Sequence, residues 1–455
     1  MKKALKLFGI IVLVVVIGFS MAACDVVTDN DKNGGNSSSV DGDSISEINK
    51  DFDYSEYDGK ITITKYKGAG GKVTIPSKIN GKPVTRIDGK SFSNGGGAFK
   101  GCTSLTDVTI PNSVTYIGVG VFEGCTGLTG ITIPNSVTNI EVSAFEGCTG
   151  LTGVSIPDSV TEIGYDAFKG CTSITSVKLS NNAGFTSIKG GTFKNCTSLI
   201  EINIPNNITK IGGGNWADGE AFAGCTSLAS VTIGSGITSI ENGGWGDFGD
   251  YSTFTNCTSL TSVTIIGNER TKIGGGNFKG CTRLASVTIQ NGVISGFSAL
   301  TSLTSVTIGN GATSIGDSAF SGCTGLTNVT IGNSVTSIGI GAFYNCTSLA
   351  SVIIPNSVTT INGTDDFLRG HGAFESCTRL TSITIPDSVT SIGGAVFKSC
   401  TNLTSVTFQR AITLDSYYSP FDGDLNAKYV AGGIGTYTRS GSGTGASPYT
   451  WTKQP

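Results

Sequence analysis

The sequence predicts a β-rich solenoid of about thirteen 23-residue coils stacked on a parallel β-sheet, with little regular helix. Three observations predict it. The segment from Cys102, CTSLTDVTIPNSVTYIGVGVFEG, is followed by CTGLTGITIPNSVTNIEVSAFEG from Cys125 and CTGLTGVSIPDSVTEIGYDAFKG from Cys148, a period of 23 residues. A phenylalanine marks thirteen successive coils, at Phe99, Phe122, Phe145, Phe168, Phe193, Phe222, Phe254, Phe278, Phe297, Phe320, Phe343, Phe374 and Phe397. The composition also disfavours helices: 66 Gly, 2 Met and only 14% charged residues stand against abundant Val, Ile and Thr.

The chain opens on an export pattern. Lys2, Lys3 and Lys6 precede an apolar run from Leu7 to Ile17, then Ala22, Ala23 and Cys24. A basic start, a short apolar stretch and small residues before a cleavage point make a secretory signal peptide over residues 1–23. Met21-Ala22-Ala23-Cys24 resembles a bacterial lipobox, which implies lipid attachment at Cys24. Residues 24–58 follow as an acidic tether. Ten Asp or Glu and two Lys give residues 25–58 a charge of −8, with too little apolar surface to offset the entropy of ordering.

Each coil then repeats one apolar set. After Cys102 it is Leu105, Val108, Ile110, Val114, Ile117, Phe122 and Cys125. Val108 and Ile110 flank Thr109, a period-two strand with Thr pointing outward. Ile-Pro ends that strand, because proline cannot continue a central ladder. Val114 to Ile117 forms a second short extended piece, and Ala-Phe-x-Gly-Cys is too short for more than one helical turn. A single coil has no second layer to close its core, so neighbouring coils must stack.

The pattern Leu-x-x-Val-x-Ile-Pro…Val-x-x-Ile-Gly…Ala-Phe-x-x-Cys resembles the BspA-like class of leucine-rich repeats over roughly residues 61–410. The resemblance implies a leucine-rich-repeat solenoid, placed here at residues 59–410. It also implies a secreted surface protein that attaches to host matrix proteins or to other cells.

Twelve cysteines fall three residues after a repeat Phe. Leu300 takes that place after Phe297 without disturbing the register, which favours an apolar slot and a column of buried, reduced thiols. Disulfides between neighbouring coils are the alternative, at a permitted Cα separation but with side chains pointing the same way. No Cys-x-x-Cys pair exists and His371 is the sole histidine, so no metal site is expected. One coil is irregular: Arg270 falls where others carry Val, and Ile266 is expected to fill the slot while Arg270 reaches outward.

Departures from the repeat are where function is sought. The closing Ile and the repeat Phe are ordinarily five residues apart, as in Ile117 to Phe122. Four coils are longer: Ile87 to Phe99, Ile211 to Phe222, Ile240 to Phe254 and Ile361 to Phe374. Insertions at one repeat position emerge along one edge. They carry Phe92, Trp216, Trp245, Phe248, Tyr251 and Phe367, which with His371 form the candidate binding set. The alternative is that these loops drifted in length and tuck their aromatics onto the rim. The outward strand positions, from Thr109 to Thr407, offer either a polar platform or an ordinary solvated face.

Catalysis is not expected. Asp365, Asp366, Arg369 and His371 are the densest chemistry, yet they are near neighbours on one loop and a hydrated acidic loop accounts for them. No catalytic residue, cofactor or metal is assigned. A net charge of −3 without a basic stripe argues against nucleic acid. The expected protein is a lipid-anchored, adhesin-like binder of extracellular matrix, host-cell protein or a neighbouring bacterial surface. It would touch the membrane only through its lipid, at the cell envelope and on the outer-membrane surface. A surface spacer and a non-catalytic glycan-binding solenoid are the alternatives. After Arg410 the repeat fades, and residues 411–455 are expected to be a cap and tail. Leu414, Tyr417, Tyr418, Phe421 and Leu425 would cover the last layer, with a flexible Gly/Ser turn from Ser440 to Ser447.

Overall fold

The computed structural model describes residues 48–89, 96–212, 219–240, 252–364, 370–415, 418–441 and 449–455. It is the expected leucine-rich-repeat solenoid, with three columns of side chains running its length.

The first column is the ribbon of strands that follow each Leu. Identical positions pair in parallel: Val231 with Val263, Val263 with Val287, and Val287 with Val306. The second ribbon aligns the closing isoleucines, Ile87 with Ile117, Ile140 and Ile163, and later Ile315 with Ile338, Ile361 and Ile392. Strand alternation turns these residues inward, and the apolar set of the coil after Cys102 is buried throughout. In the strands Ser286–Ile294 and Ser305–Ile315 the two ribbons run together as one strand. Proline is missing from both turns, but also from the coils of Gly234 and Gly332, which still bend; its absence permits the continuous strand without forcing it.

The third column is the phenylalanine ladder. Rings from Tyr66 to Phe421 stack with centroids 5.0–5.7 Å apart, each slotting over the next as the coils rise. Offset stacking adds to the burial of each ring. Polar ladders reinforce the apolar ones. Thr138 and Thr161 each donate a hydroxyl hydrogen bond to the threonine carbonyl one coil back, at 3.2 and 3.4 Å.

Two residues after each Phe the backbone takes a left-handed turn. Gly101, Gly124, Gly147 and Gly170 fill this place in early coils, but Ala299 occupies it with φ 59°. A Cβ there crowds the following carbonyl oxygen. Ala299→Gly is therefore expected to stabilise the protein by about 0.5–1 kcal/mol, read as a raised urea midpoint; an unchanged or lowered midpoint would contradict it.

The cysteine slot is more than an apolar place. Eleven thiols are free and buried. Each donates its S–H to the carbonyl of the preceding coil's phenylalanine, Cys125 to Phe99 at 3.0 Å and Cys400 to Phe374 at 3.2 Å. Burial pushes Cys125, Cys171, Cys225, Cys323 and Cys400 up to about 12. Burial also raises Cys148, Cys196, Cys346 and Cys377, and Cys257 is raised by its neighbour Cys281 as well as by burial. Cys102 corrects the expectation of twelve reduced thiols: it is disulfide-bonded.

Three other expectations need correction. The acidic run does not stay a tether to residue 58. Phe52–Tyr57 forms a strand antiparallel to Lys60–Tyr66, turning on Asp58 and Gly59, both at positive φ. That is a two-residue hairpin, and Phe52 folds in because the first coil's apolar layer would otherwise face water; its ring lies 5.5 Å from Tyr66. In the irregular coil Arg270 is exposed, but Thr271 rather than Ile266 fills the inner slot. The Thr271 hydroxyl is satisfied by the Ile237 carbonyl at 2.7 Å, which lets a polar residue stand in the core.

The C-terminal cap is also larger than expected. Phe421 and Leu425 are buried and Leu414 and Tyr418 half-buried, while Tyr417 lies outside the described residues. They are joined by Phe408, Tyr429, Tyr437 and Trp451, all buried. Gly435–Ser440 pairs antiparallel with the last repeat strand, Ser405–Phe408, and Thr450–Lys453 pairs outside it. The Trp451 indole donates to the Asp422 carbonyl at 2.9 Å. Leu425–Gly432 is the single α-helix among the described residues.

Candidate functional site

All four insertions have their feet on one edge. Each leaves from an isoleucine of the second ribbon (Ile87, Ile211, Ile240, Ile361) and returns immediately before a ring of the phenylalanine ladder. The reason is geometric: both columns are fixed by inter-coil contacts, so the ends of every insertion are held at the same place in the coil. Six of the seven candidate binding residues, Phe92, Trp216, Trp245, Phe248, Tyr251 and Phe367, lie outside the described residues, as do Cys24, Asp365, Asp366 and Arg369.

The feet themselves are tightly built. At the first, Arg86 lies 3.5 Å over the Tyr116 ring and reaches Asp88 at 3.1 Å. At the second, Lys194 pairs with Glu220 across adjacent coils. At the third, Ser252 and Thr253 are buried, with the Thr253 hydroxyl donating to the Gly219 carbonyl at 3.2 Å.

The fourth foot carries His371, the described member of the candidate set. Its imidazole lies flat on Tyr344, centroids 3.6 Å apart and planes 5° from parallel. Nδ1 stands 3.5 Å from Glu375 Oε2, and the side chain is 51% exposed. The Glu375 carboxylate also accepts the Gly372 N–H at 3.0 Å, which fixes its rotamer. Beside this foot is a cleft of about 380 Å³ that sequence reasoning missed. Its walls are His371, Glu375 and Lys398 on the solenoid and Tyr418, Ser419 and Asp422 from the C-terminal cap. The Asp422 carboxyl accepts the Ser399 N–H at 2.9 Å, and burial holds it above the usual carboxylate range. One clue was present in the sequence: Glu375, Lys398 and Asp422 each follow a ladder ring, so stacking aligns them on successive coils.

The strand face is plain. Every outward position from Thr109 to Thr407 is exposed or half-exposed, and Ile353, 83% exposed, is its one large apolar residue. A polar hollow of about 450 Å³ lies on that face at Thr132, Ser155 and Lys178. Among the described residues no group of three or more His, Cys, Asp or Glu is placed to hold a metal ion. No described helix is long and apolar enough to cross a membrane.

Comparison with known proteins agrees with this architecture. The model of the BspA type leucine rich repeat region matches residues 93–219, 218–295, 247–369 and 295–418. A leucine-rich repeat protein from Bacteroides ovatus is 27% identical, with 78% of this chain and 92% of that one covered and a TM-score of 0.46. A leucine rich cell surface protein from Faecalibacterium prausnitzii is 25% identical, with 82% and 96% covered and a TM-score of 0.34. The pneumococcal vaccine antigen PcpA is 17% identical, with 81% and 88% covered and a TM-score of 0.32. No curated protein matches the chain. With the repeat model spanning nearly the whole solenoid, the chain belongs to the BspA-type leucine-rich repeat family.

Proposed function

We propose that this protein is an adhesin-like binder, held at the bacterial surface by a lipid on Cys24 and recognising an extracellular matrix or host-cell protein through its insertions. The observation that carries this reading is the placement of the four insertion feet on one edge of a rigid body. A side-by-side array of loops on a preorganised rail presents a broad surface at low ordering cost. Family membership supports a surface role, and the Faecalibacterium relative is itself described as a cell surface protein. The body acts as a scaffold for recognition rather than as a catalyst.

The test compares the protein with a variant whose four insertions are cut to the ordinary five-residue spacing. Both are applied to immobilised matrix proteins and to intact host and bacterial cells. Binding by the parent that falls at least tenfold in the trimmed, still folded variant is expected. Equal binding by both moves recognition to the strand face or the cap. Binding by neither favours a surface spacer. Globomycin-sensitive processing with palmitate incorporation, lost in Cys24→Ser, checks the anchor separately.

A further inference from the structure

The cleft between the fourth insertion foot and the C-terminal cap has the chemistry of a ligand site, and its composition selects the class. Its volume of about 380 Å³ is that of a small-molecule pocket. Two carboxylates, Glu375 and Asp422, and the ammonium of Lys398 line it from successive coils, and the cations Arg439 and Lys398 act on the Asp422 carboxyl against the charge of Glu375. A cationic ligand would meet Lys398 between the two acids. An anionic ligand would meet the acids on either side of the lysine. Near charge balance leaves a neutral ligand rich in hydroxyls as the best match, because each carboxylate keeps acceptor sites beyond the backbone N–H it takes.

The walls add what such a ligand needs besides hydrogen bonds. His371 is held flat on Tyr344, and Tyr418 also lines the cleft, so aromatic surface borders the polar groups. The C–H face of a sugar ring packs against aromatic surface while its hydroxyls turn to charged partners, whose hydrogen bonds are the stronger kind. The polar groups are also held in place. Glu375 is tied to Gly372, Asp422 to Ser399, and the Ser419 hydroxyl to the Phe421 carbonyl at 2.7 Å. Two modules of the fold meet here, the last coils and the cap, which is a favoured place for a ligand.

We infer that this cleft binds a neutral pyranose unit, the terminal or internal sugar of a glycan. The inference rests on the reading of the protein as a surface binder and narrows one contact of that reading to carbohydrate. The probes are glucose, galactose, mannose and N-acetylglucosamine, titrated into the purified protein by calorimetry, with saturation-transfer NMR to map the sugar protons in contact. At least one sugar is expected to bind once per chain at millimolar strength or better. His371→Ala and Glu375→Gln should each weaken it at least fivefold with unchanged melting temperature. Ser155→Ala, on the distant strand face, should leave it unaltered. Absence of binding by all four sugars overturns the inference, as does an affinity in both cleft variants equal to that of the parent. Preferential capture of free arginine or of inorganic phosphate would overturn the assigned ligand class. Matrix binding that persists without sugar binding would leave the adhesin reading standing and remove only this one.

Discussion

Raising the pH from about 8 to about 10 is expected to strip the solenoid of most of its stability. Burial holds Cys125, Cys171, Cys225, Cys323 and Cys400 at about 12 in the folded chain, and Cys148, Cys196, Cys257, Cys346 and Cys377 are raised as well. An unfolded chain releases the same protons near pH ~8.5. Between those values the unfolded state binds fewer protons than the folded one, so stability falls as pH rises. Below about pH 8 the contribution is fully present; above it each thiol removes about 1.4 kcal/mol per pH unit. Summed over these ten cysteines, the loss by about pH 10 is on the order of 20 kcal/mol, more than the whole stability of an ordinary domain. Urea midpoints measured from about pH 7 to about pH 10 check it, and a level midpoint refutes it. The same burial predicts that the native thiols resist iodoacetamide at neutral pH while the denatured chain alkylates fully, since the thiolate is the nucleophile.

The second large effect is mechanical continuity along the phenylalanine ladder. Phe168 is fully buried between Phe145 and Phe193, at 5.1 and 5.5 Å. Phe168→Ala is expected to cost about 3–5 kcal/mol, the range for emptying an aromatic core position. The distribution of that loss matters more than its size. Each coil is stabilised mainly by its two neighbours, so a gap uncouples the coils on either side. Denaturation followed by probes in each half should separate into two transitions, where the parent shows one. Ser155→Ala, on the solvated strand face, should stay within about 0.5 kcal/mol of the parent. A single, merely shifted transition in Phe168→Ala would mean that the ribbons alone carry cooperativity.

The repeat was legible because its apolar positions recur in fixed phase, and phase is what stacking requires. Leu105, Val108, Ile110, Val114, Ile117 and Phe122 could be assigned inward from spacing alone, and all are buried. Legibility failed where phase ended. Phe52 and the Asp58-Gly59 turn precede the first repeat, and an acidic surrounding masked a hairpin signal. Thr271 was overlooked because a hydroxyl reads as an outward residue until its acceptor, the Ile237 carbonyl, is known. The cysteine slot was read as apolar from Leu300; the hydrogen bond to the neighbouring carbonyl is invisible without the backbone beside it. The cleft at His371 is assembled by residues more than fifty positions apart, from His371 to Asp422, which no local pattern connects. The insertions were legible in place, since their ends are repeat residues, while their aromatic tips obey no period.

Because every ring of the ladder sits a nearly constant step from the next, the body behaves as a graduated rail. The first and second insertions return at Phe99 and Phe222, five steps of 5.1–5.5 Å apart, which places their roots on the order of 25 Å from one another. The second and third return at Phe222 and Phe254, a single 5.3 Å step apart, so their roots are adjacent. Gain or loss of one coil between the first two would shift one patch against the other by one graduation and alter neither. Two-point recognition could thus be retuned for the spacing of its target by unequal repeat exchange alone, with no substitution at a contacting residue.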